Sequence, residues 1–231
     1  ELGGKSPNII FADAENLEEA AKVSTMGIFR NSGEVCVAGS RLLVEDKIHN
    51  EFLKLVSEYS QKLKIGDPLE IKNDVGAINS LSQLQSDLDF VEKAKSEGGN
   101  IEIGGNRILK SSGGFYMEPT IISSVKQDTE VFQNEVFGPI LTVTAFSNED
   151  EAIKLANGTD FGLASGIWTS NLSRAHKMVK KIKAGTVFVN TYGGSDNTIP
   201  LTGVKQSGNG SDKSLHALDK FTDLKSVWMK L

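Results

Sequence analysis

Apolar residues occur along the chain in two kinds of pattern. Short continuous runs alternate with longer stretches in which apolar positions recur every three or four residues. A short apolar run bounded by turn residues is typical of a buried strand. On this basis strands are predicted at residues 7–11, Arg41–Glu45, Ile140–Phe146, 165–169 and 186–190.

The longer stretches predict helices. Asn16 begins the first, with Glu19 three residues later as in a capping box, and residues 31–33 end it. The clearest apolar stripe runs through residues 48–63. Further helices are predicted at residues 82–97, 149–156, 173–183 and 212–221.

Alternation of strands with helices favours an α/β fold, a three-layer domain with a largely parallel sheet flanked by helices. Residues 104–114 are rich in glycine and serine and predict a loop or hairpin. Residues 191–211 predict a long ordered loop near a site. Residues 224–231 predict a terminal strand that pairs outside the domain.

Composition narrows the classes of function. The 231 residues carry a formal net charge of −5, which argues against nucleic acid and anionic membranes as partners. His49, His176 and His216 are too scattered to predict a metal site. No apolar run is long enough to span a bilayer, and the first residues lack the pattern of a signal peptide.

Cys36 is the only cysteine, in the stretch NSGEVCVAGSR. A single cysteine rules out an internal disulfide framework and favours a reducing, cytoplasmic setting. Cys36 is either a small buried hydrophobic residue or a nucleophile that the flanking glycines bring close to a ligand. A reactive thiol needs a positive field or backbone donors. Arg41 and Lys5 are the candidate basic neighbours, and the pattern favours surface charges for both.

Two other stretches have unusual residue choices. ELGGKSPN places Glu1 before a double glycine, and NEVFGPIL places Glu135 and Phe137 before a Gly-Pro turn that leads into a strand. Taken alone, the second stretch also fits a strand lead-in with a solvated carboxylate.

Six motifs occur in a fixed order along the chain: ELGGKSPNIIFADA, NSGEVCVAGSRLLV, NEVFGPILTV, FGLASGIWT, AGTVFVN and KQSGNGSDKSLHALDKFT. Together they resemble the NAD(P)-dependent aldehyde dehydrogenase superfamily. The resemblance covers the whole chain and is specifically to the catalytic, C-terminal half of that family. The last motif looks most like that of γ-glutamyl-γ-aminobutyraldehyde dehydrogenases.

The resemblance implies a role for Cys36. It matches the family's catalytic cysteine, whose thiolate attacks the aldehyde to form a thiohemiacetal and then a thioester. Its backbone N–H helps to hold the oxyanion. Glu1 matches the general base that activates the hydrolytic water, so the implied product is a carboxylic acid.

The resemblance also implies a cofactor, NAD or NADP. Glu135 matches the carboxylate that holds the nicotinamide ribose, and Phe137 packs beside it. Leu2 and Gly3 match backbone near the nicotinamide, and Gln83 matches another contact on the ribose side.

One departure concerns the substrate. The family usually has Pro-Phe-Gly-Gly where this chain has Pro200-Leu201-Thr202-Gly203. Leu201 replaces an aromatic residue expected to line the aldehyde tunnel, so it predicts a wider substrate pocket.

The resemblance predicts a catalytic domain at residues 1–211 and a helix with an oligomerisation strand at residues 212–231. The cofactor domain that precedes this half in the family, with its G-x-G-x-x-G fingerprint, is absent from the sequence. Aldehyde oxidation is therefore expected to need that domain, with a homo-oligomer as the full-length form. The alternatives are a partial enzyme that cleaves esters, an inert or oligomer-forming domain, and a coenzyme-A-acylating dehydrogenase. Glu1 argues against the last.

Overall fold

The computed structural model describes residues 1–194 and 196–231. The strands alternate with six α-helices along most of the chain. The helices are α1 (Leu17–Phe29), α2 (His49–Gln61), α3 (Leu81–Ser96), α4 (Glu130–Gln133), α5 (Glu149–Asn157) and α6 (Leu172–Lys181). The strands are β1 (Pro7–Ile10), β2 (Arg41–Glu45), β3 (Asn100–Ile103), β4 (Arg107–Ile108), β5 (Tyr116–Met117), β6 (Thr120–Ser123), β7 (Ile140–Phe146), β8 (Phe161–Gly162), β9 (Ala164–Trp168), β10 (Thr186–Val189), β11 (Leu201–Thr202), β12 (Val204–Lys205) and β13 (Ser211–Asp212).

Seven strands form the main sheet, in the order β10-β9-β1-β2-β7-β6-β3. Every neighbouring pair is parallel except β3 with β6. In the centre, Pro7 lies opposite Arg41, and Arg41 lies opposite Thr142. The amino ends of β1, β2 and β7 therefore lie side by side at the same end of the parallel strands.

Helices cover both faces of the sheet, which gives the predicted three layers. Successive side chains of a strand point to opposite faces. Ile10 and Leu42 pack with α1 and α2 on one face. Ile9 and Leu43 pack with α3 to α6 on the other. Strands buried on both faces read as continuous apolar runs, which is why the short runs predicted them.

The start of α1 follows the prediction. The Asn16 side chain accepts a hydrogen bond from the Glu19 backbone N–H at 3.0 Å, so Asn16 is the N-cap. The helix ends at Phe29, and a tight 3₁₀ turn follows at Arg30–Gly33. Asn31 and Ser32 have φ of 52° and 58°, in the left-handed region that stops a helix.

The five predicted strands and the predicted helices of the first 190 residues are present, with boundaries that shift by a few residues. Residues 104–114 contain β4 and most of the loop that joins it to β5 in an antiparallel hairpin. The sequence analysis did not identify β3, β6 or α4, each of which is 4 residues long. Four residues show only about one helical turn or two strand repeats, so the pattern in such an element is weak.

The C-terminal prediction needs correction. Residues 212–221 do not form an α-helix but the end of β13 and a 3₁₀ helix, Leu215–Phe221, none of whose residues is buried. Without a buried face, nothing stabilises a longer helix there. Residues 222–231 have no regular secondary structure in the single chain. The oligomerisation strand at residues 224–231 thus stays a prediction about an assembly. Ser195, within the predicted loop, lies outside the described residues.

Arg41 is buried, so its interpretation as a surface charge was wrong. Its guanidinium donates hydrogen bonds of 2.8 Å to the carbonyl oxygens of Lys5, Leu155 and Ala156, and it lies 4.8 Å from the centre of the Phe132 ring. The side chain joins the segment before β1 to the end of α5. It was mistaken for a surface residue because hydropathy does not reveal buried hydrogen-bond acceptors.

Two further properties concern the described part of the chain. In residues 1–194 and 196–231, no helix has the length and apolar character needed to cross a membrane. Within the same residues, no group of three or more His, Cys, Asp or Glu side chains is placed to hold a metal ion.

Replacing Arg41 with methionine should destabilise the fold. The variant removes the guanidinium donor from three buried carbonyl oxygens. Among the described residues, only the Leu155 oxygen keeps a hydrogen bond, from the Gly158 N–H. We therefore expect the free energy of unfolding to fall by about 2–4 kcal/mol. The measurement is urea unfolding followed by circular dichroism. The matched control is Lys47→Met next to the same strand, where the side chain is 79% exposed. Its unfolding free energy should change by less than about 0.5 kcal/mol. Equal midpoints for both variants would contradict the structural role of Arg41.

Candidate active site

Three loops that precede neighbouring parallel strands form the candidate site. Residues 1–6 lead into β1, residues 34–40 into β2 and residues 134–139 into β7. Because these strands are adjacent and parallel, the motifs ELGG, EVC and EVFG come together at the amino ends of the strands. The sheet therefore collects the predicted residues Glu1, Cys36 and Glu135 in one place.

The double glycine allows the loops to approach closely. A side chain on Gly3 would place its Cβ 1.9 Å from a Glu135 carboxylate oxygen, and one on Gly4 would lie 2.5 Å from the Cys36 carbonyl oxygen. The Gly4 backbone N–H donates to Glu135 Oε1 at 2.9 Å. Because Gly3 and Gly4 have no Cβ atoms, both Cys36 and the Glu135 carboxylate can lie against the backbone of this loop.

Gly33 makes the corresponding contact between the other two loops. Its φ of 74° is left-handed, and a Cβ there would lie 2.1 Å from the Gly138 carbonyl oxygen. Ser32 anchors the same turn by donating to the Gly76 carbonyl oxygen at 2.9 Å. The turn before the cysteine is therefore fixed on both sides.

The Cys36 thiol is half-buried and interacts with the Glu1 carboxylate. Burial raises the pKa of Cys36 to about 11, and the hydrogen bond and negative charge of Glu1 act in the same direction. The backbone N–H groups of Cys36 and Val37 act against this rise because they stabilise the thiolate. At neutral pH the sulfur is consequently a thiol with a carboxylate beside it.

A loop from the far end of the chain holds Glu1 in this position. The Leu2 backbone N–H donates to the Ser207 carbonyl oxygen at 3.0 Å, and Gly208 packs against Glu1. Ser207 is fully buried, and its hydroxyl accepts from the Gly162 backbone N–H at 2.9 Å. Sequence analysis did not assign a role to Ser207, although it lies in the KQSG motif.

Glu135 and Phe137 lie on the turn before β7. Burial raises the pKa of Glu135, whereas the Gly4 N–H and the Lys5 charge lower it and Glu1 raises it further. Phe137 has a φ of 62°, and 40% of its surface is exposed. The turn thus presents an aromatic ring next to a carboxylate.

Gln83 supports this turn from α3. Its Nε2 donates to the Val136 carbonyl oxygen at 2.9 Å and to Asp87 Oδ1 at 2.8 Å. Asp87 is fully buried against Gly138, and burial raises its pKa to about 7. Sequence analysis missed Asp87, although a carboxylate one turn after Gln83 beside an apolar stripe is a signal. Since the amide nitrogen of Gln83 is occupied, contact of Gln83 with a cofactor stays a prediction.

Lys5 is also buried, so its interpretation as a surface charge was wrong as well. Its Nζ has no hydrogen-bond partner among the described residues. Burial lowers the pKa of Lys5 to about 7, the Arg41 charge lowers it further and Glu135 raises it. The Arg41 guanidinium is engaged with three backbone carbonyl oxygens and not with the Cys36 sulfur.

Leu2 and Leu201 are the remaining predicted residues. Leu2 is next to Glu1 and 63% exposed. Leu201 is on β11, opposite Asp212, and its place in a substrate tunnel stays a prediction. Tyr192, which sequence analysis did not select, is buried and donates from its hydroxyl to the Val37 carbonyl oxygen at 2.8 Å. It supports the loop on the far side of the cysteine.

Comparisons with known proteins agree with this arrangement. The model of the aldehyde dehydrogenase family matches residues 1–227. The chain is 45% identical over 231 residues to the NADP/NAD-dependent aldehyde dehydrogenase PuuC of Escherichia coli, which covers 100% of this chain and 46% of that protein.

Solved structures give the same result. The aldehyde dehydrogenase KauB from Pseudomonas aeruginosa superposes with a TM-score of 0.96 and 49% identity, over 99% of this chain and 46% of that chain. The γ-glutamyl-γ-aminobutyraldehyde dehydrogenase from Burkholderia cenocepacia superposes with a TM-score of 0.94 and 46% identity, over 97% of this chain and 45% of that chain. The resemblance to this kind of dehydrogenase is thereby confirmed.

The chain spans about half the length of the curated relatives that it matches, for example 46% of PuuC. Its mostly parallel seven-stranded sheet matches the solved dehydrogenases, and Glu1, Cys36 and Glu135 lie where three of the sequence motifs meet. The chain therefore belongs to the aldehyde dehydrogenase family.

Proposed function

We propose that this chain carries the reactive half of an NAD(P)-dependent aldehyde dehydrogenase, with Cys36 as nucleophile and Glu1 as general base. The observation that carries the proposal is the pairing of the only thiol of the chain with a carboxylate at the meeting point of three loops. A thiol with a pKa of about 11 is unreactive at neutral pH unless a neighbouring base takes its proton.

In the first step the Glu1 carboxylate accepts the thiol proton as the sulfur attacks the aldehyde carbon. A C–S bond forms and the carbonyl electron pair moves to oxygen, giving a thiohemiacetal. The Cys36 backbone N–H, which already points towards the sulfur region, stabilises the negative oxygen.

The residues of the site fit a nicotinamide cofactor. Gly3 leaves open backbone next to the Glu135 carboxylate, and Phe137 and Leu2 present exposed apolar surface on either side. Glu135 would hold the ribose, and Phe137, Leu2 and Gly3 would contact the ring. NAD or NADP, when bound, supplies the acceptor for the hydride of the aldehyde carbon, which leaves a thioester on Cys36.

Glu1 passes the thiol proton to solvent before the last step, in which its carboxylate accepts a proton from water. The resulting hydroxide attacks the thioester carbon, the C–S bond breaks, and a carboxylic acid leaves. The sulfur then regains a proton. We propose that oxidation requires, besides these residues, the segment that the relatives carry ahead of the matched half.

A first test is acylation of Cys36 without cofactor, since ester cleavage needs no hydride acceptor. With p-nitrophenyl acetate we expect one acetyl group per chain by intact mass, released by neutral hydroxylamine as a thioester should be. Cys36→Ala, which removes the thiol and keeps the fold, should show no hydroxylamine-sensitive adduct. Equal labelling of both proteins would refute Cys36 as the nucleophile.

A second test separates the two effects of Glu1. In Glu1→Gln the thiol loses a negative neighbour that raises its pKa, so the pKa should fall from about 11. Alkylation by iodoacetamide at pH 8 should therefore become faster, with its pH midpoint lower. Hydrolysis of the acetyl thioester should become slower, by about 100-fold or more, because the general base is lost.

Glu15→Gln is the matched control for this test, because Glu15 is an exposed carboxylate on the segment before α1. It should leave both rates unchanged. If Glu1→Gln leaves hydrolysis of the acetyl thioester intact, Glu1 is not the base that activates water. A different result would favour the coenzyme-A-acylating alternative. In that case the acetyl group of the parent chain would be hydrolysed slowly but transferred rapidly to an added thiol.

Homo-oligomerisation is supported by the exposed C-terminal segment. Leu224, Trp228 and Leu231 are 106%, 98% and 111% exposed, an unusual concentration of apolar surface on ten residues. We propose that this segment pairs with a second copy of the chain as an edge strand.

Deleting residues 224–231 should therefore convert any dimer or larger species to a monomer in sedimentation velocity. The parent chain and a variant with Lys225→Gln and Lys230→Gln, which changes the charge of the segment without removing its apolar side chains, serve as controls. A sedimentation profile that does not change on deletion would count against assembly through this segment.

A further inference from the structure

A pocket of about 210 Å³ lies beside the cysteine. Val35 and Val37, the residues on either side of Cys36, form one wall, and Tyr192 closes the inner end. The outer wall is the face of α1 that carries Lys22, Met26 and the following Arg30 at intervals of four residues. Cys36 does not itself line the pocket, but a molecule there would contact the residues on both sides of it.

The charges of this pocket have one sign. Lys22 and Arg30 are its ionic residues, and the other lining residues are apolar, glycine or Tyr192. Both cations are exposed, and among the described residues no carboxylate lies within 4.0 Å of either one. Two unpaired cations at one side of an apolar pocket attract an anion.

The nearby polar groups do not cancel this charge. Glu34 is engaged elsewhere, because its carboxylate accepts from the Asn79 backbone N–H at 3.0 Å. The Tyr192 hydroxyl proton is donated to the Val37 carbonyl oxygen. Glu18 and Glu19, about one turn earlier on α1, are exposed to solvent and do not line the pocket.

We infer that the substrate is an aldehyde with a carboxylate at its other end, held by Arg30 and Lys22 while its carbonyl carbon lies at Cys36. The inference rests on the proposed function and specifies its substrate class. Glu1, next to the sulfur, repels the same carboxylate, so the two ends of the site favour one orientation of such a molecule.

The test uses thiol-reactive probes that differ in charge alone. 4-Maleimidobutyrate and its methyl ester share a skeleton, and each adds to a free thiol without any catalytic step. The rate constants for labelling Cys36 at pH 8 are measured by intact mass at low ionic strength. The ratio of the rate constant of the anionic probe to that of its ester should be larger for this chain than for free N-acetylcysteine. Added salt should reduce this difference.

Arg30→Met should lower the ratio of the two rate constants about fivefold, and Lys22→Gln should lower it in the same direction. Arg30→Lys, which retains the charge, should preserve most of the ratio. Lys47→Gln, an exposed cation outside the pocket, should not change it. Using the ratio cancels any effect of a variant on the thiol pKa.

A ratio that is the same in the parent chain, Arg30→Met and Lys22→Gln would overturn the inference. That result would leave the proposed function intact, because acylation of Cys36 by p-nitrophenyl acetate tests the nucleophile separately. Conversely, absence of acylation together with a charge-dependent labelling ratio would refute the nucleophile and retain the anion-binding pocket.

Discussion

The close approach of backbone at Gly3 and Gly4 is the constraint on which the site depends. The Glu135 carboxylate and the Cys36 carbonyl oxygen both occupy space that a Cβ atom would fill. The hydrogen bond from the Gly4 N–H to Glu135 then connects the loop before β1 to the loop before β7. Larger residues at these two positions would separate the thiol from both carboxylates, whatever the stability of the sheet beneath them.

Much of the fold could be predicted from the sequence because the central strands are buried on both faces. Continuous apolar runs such as Arg41–Glu45 and Ile140–Phe146 have few other interpretations, and the Asn16 cap fixes the start of α1. Strand order could not be predicted in this way. Hydropathy does not show that β1, β2 and β7 are neighbours, yet that order alone brings residues 1–6, 34–40 and 134–139 together.

Some residues of the candidate site could also be predicted from the sequence, and others could not. Cys36, Glu1 and Glu135 could be selected from motifs, because their exposed or half-buried side chains lie close to glycines in the sequence. Arg41, Lys5 and Asp87 could not, since a charged residue in a sequence favours the surface. All three are buried; backbone carbonyl oxygens hold Arg41 in place, and Asp87 faces Gly138 from a distant segment. Such partners are visible only after the chain has folded.

The electrostatics of the site tie the resting state of the thiol to the occupancy of the pocket. Glu1 and burial keep Cys36 protonated, so the free chain does not expose a thiolate to oxidation or to chance electrophiles. In the proposed mechanism the same carboxylate takes the thiol proton as the sulfur attacks a carbonyl carbon. In the proposed substrate assignment, Lys22 and Arg30 on the pocket next to this loop select molecules that carry a carboxylate. The two proposals are connected: the negative charge of Glu1 would control the reactivity of Cys36, and the positive charges of Lys22 and Arg30 would control which substrate reacts.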